Sequence, residues 1–188
     1  ALFSNGQIQE ALSAVETLIN DYPNEPVLYN ISGACYAGLG QLDVAVKYYE
    51  KSLAIKPDYA EAHNNLGVTL QELGQLDEAV KCFEKALAIK PDHVDAHNNL
   101  GNALNDLGQH DAAVKSFEQA LAIKPDYAEA FNNLGSTLTN LDQLDAALVS
   151  YESAIALKPD INFILGSLLH TKMDLCIWDD LPNDLNEL

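Results

Sequence analysis

The chain has 188 residues, and its 28 acidic and 10 basic side chains give a formal charge of −18. Nucleic-acid backbones and anionic membranes are recognised through Lys/Arg clusters, so this balance argues against both as partners. No apolar run reaches the ~18 residues that a membrane-spanning helix needs, and no leader segment is visible at the N-terminus. The three cysteines, Cys35, Cys82 and Cys176, follow no metal or disulfide spacing. They suit a reducing compartment, and the expected location is the cytoplasm.

Five prolines, Pro23, Pro57, Pro91, Pro125 and Pro159, recur every 34 residues. A fixed period of this length is the signature of a solenoid. Residues 1–4 read as the end of a helix, and Asn5-Gly6 as a turn. Residues 7–20 read as a second helix with Ala11, Val15 and Leu18 at the twentieth, twenty-fourth and twenty-seventh phases of the repeat. Residues 1–25 are then the closing part of a truncated repeat, and full repeats follow at 26–59, 60–93, 94–127 and 128–161. Each holds two helices. Gly40, Gly74 and Gly108 fall between them, where a left-handed residue is favoured. Asp142 replaces that glycine in the last full repeat, so its turn should be the least ideal. Asp58, Asp92 and Asp126 are placed to cap the next helix, with Glu61, Asp95 and Glu129 three residues on as in a capping box. Gly67, Ala79 and Ala86 mark close helix approach. Ser32 and Ser52 stand where the other repeats carry larger or less polar residues, which predicts weaker packing there.

Residues 162–188 leave the period. A helical pattern there is apolar on too much of its circumference, with Ile164, Leu165, Leu168, Leu169, Met173 and Ile177 before Trp178. Terminal repeats of solenoids need a polar outer face. The segment reads either as a cap over the last repeat or as a junction to a further domain, and it is a candidate surface for self-association.

The unit resembles the tetratricopeptide repeat. From Ala60 the matching positions are His63, Leu66, Gly67, Leu70, Ala79, Phe83, Ala86 and Pro91. The next copy gives His97, Leu100, Gly101, Leu104, Ala113, Phe117, Ala120 and Pro125. The copy from Ala128 gives Phe131, Leu134, Gly135, Leu138, Ala147, Tyr151, Ala154 and Pro159. The resemblance implies an all-α fold, a right-handed superhelix of antiparallel helix pairs, whose first helices line a concave peptide groove.

At 100° per residue, positions two, six, nine and thirteen of the first helix fall opposite its buried stripe. They read Glu61, Asn65, Val68, Glu72; Asp95, Asn99, Asn102, Asp106; and Glu129, Asn133, Ser136, Asn140. The earliest repeat gives Val27, Ile31, Ala34 and Gly38. Asn65, Asn99 and Asn133 thus form a ladder, one rung per repeat. An amide donates and accepts, so it can bond a peptide backbone without regard to sequence. The acids Glu61, Glu72, Asp95, Asp106 and Glu129 would favour basic side chains on the ligand, and Asn102 lies beside them. The same asparagines can instead support the neighbouring helix. These positions hold no Lys or Arg, so the family's clamp for an acidic C-terminal tail is not expected.

Phosphate-binding loops and nucleophile elbows are absent, so no catalytic residue, cofactor or metal is expected and the chain itself is not read as an enzyme. His63 and His97 share a phase, but it is that of a core aromatic, and packing is the preferred reading over metal binding. The text of residues 165–180, LGSLLHTKMDLCIWDD, together with the Asn-Leu-Gly repeats, is similar to bacterial, SPINDLY-type relatives of the protein O-linked N-acetylglucosamine transferases. That similarity implies a substrate-recruiting arm beside a catalytic domain. The expectation is a non-catalytic scaffold for a protein or peptide partner. The alternatives are a self-assembly module and, with less support, an enzyme in its own right.

Overall fold

The computed structural model describes residues 5–158 and 162–177. They form α1 (Asn5–Asp21), α2 (Pro26–Gly38), α3 (Leu42–Ile55), α4 (Ala60–Glu72), α5 (Leu76–Ile89), α6 (Val94–Asp106), α7 (His110–Ile123), α8 (Ala128–Asn140), α9 (Leu144–Leu157) and α10 (Asn162–Asp174), with no strand among the described residues. The fold is an all-α solenoid. None of these helices is long and apolar enough to cross a membrane. The chain divides into two compact units, residues 1–99 and 100–188.

Within a repeat the two helices meet because the first offers a glycine where the second presents a ring. A Cβ on Gly67 would stand 2.6 Å from Cε1 of Phe83, and one on Gly33 2.6 Å from Cε1 of Tyr49. In the second unit, Gly101 faces Phe117 and Gly135 faces Tyr151 in the same way. The rings are fully or almost fully buried, flanked by small residues one turn before and after, Ala79 and Ala86 around Phe83 and Ala45 and Ser52 around Tyr49. Small residues let the backbones approach, and the ring fills the space that remains. Second helices also pack on the first helix that follows, α1 on α2 and α3 on α4 in the first unit and α7 on α8 in the second. In α1, Ile8 and Leu12 pack with Cys35 of α2 in one cluster.

The turns between paired helices close as the glycine spacing predicts. Gly40, Gly74 and Gly108 have φ of 73–75°. The N–H of Gly74 bonds Gln71 O at 2.9 Å and that of Gln75 bonds Leu70 O at 2.8 Å, a Schellman closure. Asp142 holds φ 58°, with Asp142 N to Thr139 O at 3.0 Å and Gln143 N to Leu138 O at 2.9 Å. Cys176 does the same after α10, at φ 57°, with Cys176 N to Met173 O and Ile177 N to Lys172 O. Cys176 lies 34 residues after Asp142, and α10 begins 34 residues after α8 and has the same 13-residue length. The period therefore continues in the backbone through α10, although the side chains no longer repeat. α10 packs on α9 and α8 as a first helix would.

Two local expectations need correction. Asn5 and Gly6 belong to α1 rather than to a turn. The aspartates of the Pro-Asp pairs stand one residue outside the caps. Tyr59 and Tyr127 occupy the N-cap positions of α4 and α8, and neither makes a side-chain cap bond. Their rings instead carry lysines, with Lys56 Nζ 5.1 Å from the Tyr59 centroid and Lys124 Nζ 4.8 Å from that of Tyr127. Before α6 the equivalent residue is His93, whose Nδ1 accepts the Ala96 N–H at 3.4 Å. Ser32 and Ser52 are fully buried but satisfied. Ser32 Oγ donates to Leu28 O at 3.0 Å, and Ser52 Oγ reaches across to Pro26 O at 2.7 Å, tying α3 to the start of α2. Residues 1–4 and Trp178, singled out above, lie outside the described residues.

Candidate functional site

The first helices α2, α4, α6 and α8 contain no lysine or arginine; their charges are Glu61, Glu72, Asp95, Asp106 and Glu129. The lysines of the repeats lie on the second helices and in the turns after them, such as Lys81, Lys85 and Lys90. The helices that carry the candidate residues thus bear acidic charge alone.

In the first unit the amides are paired. Asn65 Nδ2 donates to Asn30 Oδ1 at 3.1 Å, and Asn99 Nδ2 donates to Asn64 Oδ1 at 3.1 Å. The sequence separation is 35 residues, one more than the repeat, so position six of one first helix bonds position five of the preceding one. Asn30 and Asn64 are the partners that the ladder reading missed. The signal available was the doubled Asn-Asn in successive copies, since an amide at each of two adjacent phases lets one reach forward and one back. Asn64 is buried, while Asn65, Asn99 and Asn30 are half-buried. One N–H of Asn65 and of Asn99 is used in the pair. The second N–H and the carbonyl stay available for another partner.

In the second unit Asn133 is half-buried, with Asn132 Nδ2 3.5 Å from its Oδ1. Asn102 is half-buried, and Asp106 and Glu129 are exposed. Asn140 Nδ2 donates to Asn105 Oδ1 at 3.4 Å, again at a separation of 35 residues. His110 Nδ1 stands 2.9 Å from the same oxygen and so carries a proton there.

Glu61 is exposed and meets Lys90 Nζ at 3.5 Å, the two side chains being 49% and 47% exposed. Its carboxyl is held below the ordinary value, first by its own backbone N–H and then, against some desolvation, by Lys90. A pair this exposed contributes little to stability. It does occupy one of the acids expected to face a ligand. Glu72 and Asp95 are exposed. Gly38 is turned toward α1, where a Cβ would meet Ile8 Cδ1 at 3.3 Å.

The histidines combine packing with a hydrogen bond. His63 Nε2 lies 2.9 Å from Pro57 O and His97 Nε2 2.9 Å from Pro91 O, so each Nε2–H donates to the proline carbonyl of the turn before its helix. Tyr29 does the same through its hydroxyl to Pro23 O at 2.9 Å. Phe131 has no donor for this bond. Among the described residues no group of three His, Cys, Asp or Glu side chains is placed to hold a metal.

A family model described as tetratricopeptide repeat matches residues 25–92, 58–126 and 92–160. No curated protein sequence matches the chain. Among solved structures, PilW, "widely conserved type IV pilus biogenesis factor", is 24% identical with a TM-score of 0.86, covering 95% of this chain and 83% of PilW. YrrB, "a TPR protein with an unusual peptide-binding site", is 22% identical with a TM-score of 0.75, covering 93% and 90%. MamA from Desulfovibrio magneticus RS-1 is 21% identical with a TM-score of 0.78, covering 87% and 92%. At these identities the likeness establishes the fold, and the family-model match over the repeats establishes the membership: the chain belongs to the tetratricopeptide repeat family.

Proposed function

We propose that the chain is a non-catalytic protein-binding scaffold that holds an extended segment against its first helices, in the cytoplasm. The observation that carries this is the confinement of the half-exposed amides Asn65, Asn99, Asn102 and Asn133 to lysine-free helices with Glu72, Asp95, Asp106 and Glu129. The amides suit a peptide backbone, and the acids suit basic side chains. YrrB, of the same fold, is described as peptide-binding, which supports the class of ligand.

The test is selection of random 12-residue displayed peptides on the purified chain, followed by titration of the winners against Glu72→Lys and Asp106→Lys variants. Peptides rich in Lys and Arg, with binding weakened by salt and by each variant, are expected. Failure to select any peptide, or binding indifferent to both substitutions, would overturn the proposal. The tail text of residues 165–180 supports a narrower form, in which the scaffold recruits substrates for a protein glycosyltransferase. Transfer of a sugar to a selected peptide fused to an acceptor, by the full-length protein, would test it. A second reading, self-association through α10, is favoured by the exposed Met173 and Ile177. Sedimentation at increasing concentration decides it.

A further inference from the structure

The first-helix faces of the first unit differ from one another in chemistry. On α4 the outward phases carry Glu61, Asn65, Val68 and Glu72. On α2 the same phases carry Val27, 41% exposed, and Ile31, 38% exposed, with the half-buried Ala34 beyond them. Ile31 takes the place of the ladder asparagine. The Asn65–Asn30 bond at 3.1 Å fixes α4 beside it. An aliphatic pad on one helix therefore adjoins, on the next, an amide and then an exposed carboxylate, with no cation on either helix.

We infer that this face selects an extended peptide segment carrying a branched aliphatic side chain and, about four residues away, a lysine or arginine. The inference rests on the peptide-binding reading above. The aliphatic side chain covers Val27 and Ile31, the amide of Asn65 meets the backbone between, and the cation reaches Glu72. The spacing follows from helix geometry. Glu72 stands seven residues beyond Asn65, about 10.5 Å along the axis. Packed helices lie about 8–10 Å apart, so the diagonal from Ile31 to Glu72 is roughly 14 Å. An extended chain rises about 3.3 Å per residue, which gives about four residues. The charges of α2 and α4 are Glu61 and Glu72 alone, and charge complementarity favours a basic partner. Glu61 is engaged with Lys90, so Glu72 is the carboxylate to which the cation is assigned.

The experiment is the same peptide selection run in parallel on the natural chain and on Ile31→Asn, which restores the residue of the later repeats, and on Glu72→Gln. Ile31 is exposed, so its variant keeps the fold, and far-ultraviolet circular dichroism confirms this before use. The natural chain is expected to select an aliphatic residue and a basic residue about four positions apart. On Ile31→Asn the aliphatic preference disappears while the basic one persists, and the best natural-chain peptide binds at least tenfold more weakly by fluorescence polarisation. On Glu72→Gln the basic preference at that spacing weakens. Basic peptides with no aliphatic preference, or equal selection by the natural chain and Ile31→Asn, would overturn the inference and leave the peptide-binding reading standing. A concentration-dependent dimer that Ile31→Asn abolishes, without aliphatic peptide selection, would assign the face to a second copy and also overturn it. Selection of no peptide by the natural chain would remove both readings.

Discussion

Gly67→Ala puts the packing account at risk most directly. In an exposed helix interior, replacing glycine by alanine stabilises by about 1 kcal/mol. Here the added Cβ would stand 2.6, 2.8 and 2.9 Å from Cε1, Cδ1 and Cζ of Phe83. Carbon atoms rest about 3.5–4.0 Å apart, so the overlap is about 1 Å against one edge of a ring. Phe83 is fully buried, with Ala79 and Ala86 beside it, so the ring cannot withdraw unless α5 moves off α4. Overpacking of this kind costs about 1–3 kcal/mol, which exceeds the propensity gain at all but its lower limit. The expected result in urea unfolding followed by circular dichroism is a net loss of up to about 2 kcal/mol. Combining Gly67→Ala with Phe83→Leu should show positive coupling, the pair losing less than the sum of the two single changes. A Gly67→Ala chain stabilised by about 1 kcal/mol, the full propensity gain, would refute the claim that the glycine exists to admit the ring.

Four further outcomes follow. Asp142→Gly removes a side chain from a left-handed position at φ 58° and should raise stability by about 0.5–1 kcal/mol, seen as a higher melting temperature. Asn99→Ala removes the donor to the buried Asn64 and should cost about 1–3 kcal/mol, whereas Asn65→Ala, whose partner Asn30 is half-buried and reached by water, should cost less; urea midpoints give the order. Burial pushes the Tyr49 phenol up to about 12, so the folded chain resists its ionisation. That stability is present below the unfolded value of about 10 and is lost as pH rises toward 12; Tyr49→Phe should flatten the decline in stability measured across that window. Burial also raises the Cys35 and Cys82 thiols, while Cys176 is exposed, so a chromogenic disulfide reagent should label one thiol quickly and two only as the chain opens.

Much of the architecture is legible in the sequence because the repeat is written in backbone requirements. Gly40, Gly74 and Gly108 declare left-handed turns, and Asp142 shows that the turn survives loss of the glycine. The small-large exchange between Gly67 and Phe83 is equally readable, since each copy preserves it. What sequence reading missed depends on which atom reaches which. The aspartates of Pro-Asp stand a residue short of the caps, because Tyr59 and Tyr127 already occupy the capping positions of α4 and α8. The hydroxyl of Ser52 reaches Pro26 O, a partner that its phase in the repeat does not name. α10 illustrates the opposite error. Its side chains leave the repeat, yet its start, length and left-handed closure at Cys176 keep the phase, since a helix of fixed length packed on α9 needs little else to be specified.

The asparagines show why an architectural residue and a ligand-facing residue need not be alternatives. Gly67 and Phe83 join the two helices of one repeat, whereas Asn64 and Asn99 join one repeat to the next. The first contact is apolar and tolerates rotation of the ring edge against the helix. The second is a directed bond between two amides and so fixes how far one first helix is displaced along its neighbour. An amide can do this with a single N–H. Its remaining N–H and carbonyl match the two groups that an extended peptide backbone presents at each residue. An alanine substitution therefore removes a register bond together with the group proposed to bind. Glu72, Asp106 and Ile31, exposed on the same helices, separate the two effects, and loss of binding at those positions with stability unchanged is the signature that belongs to recognition alone.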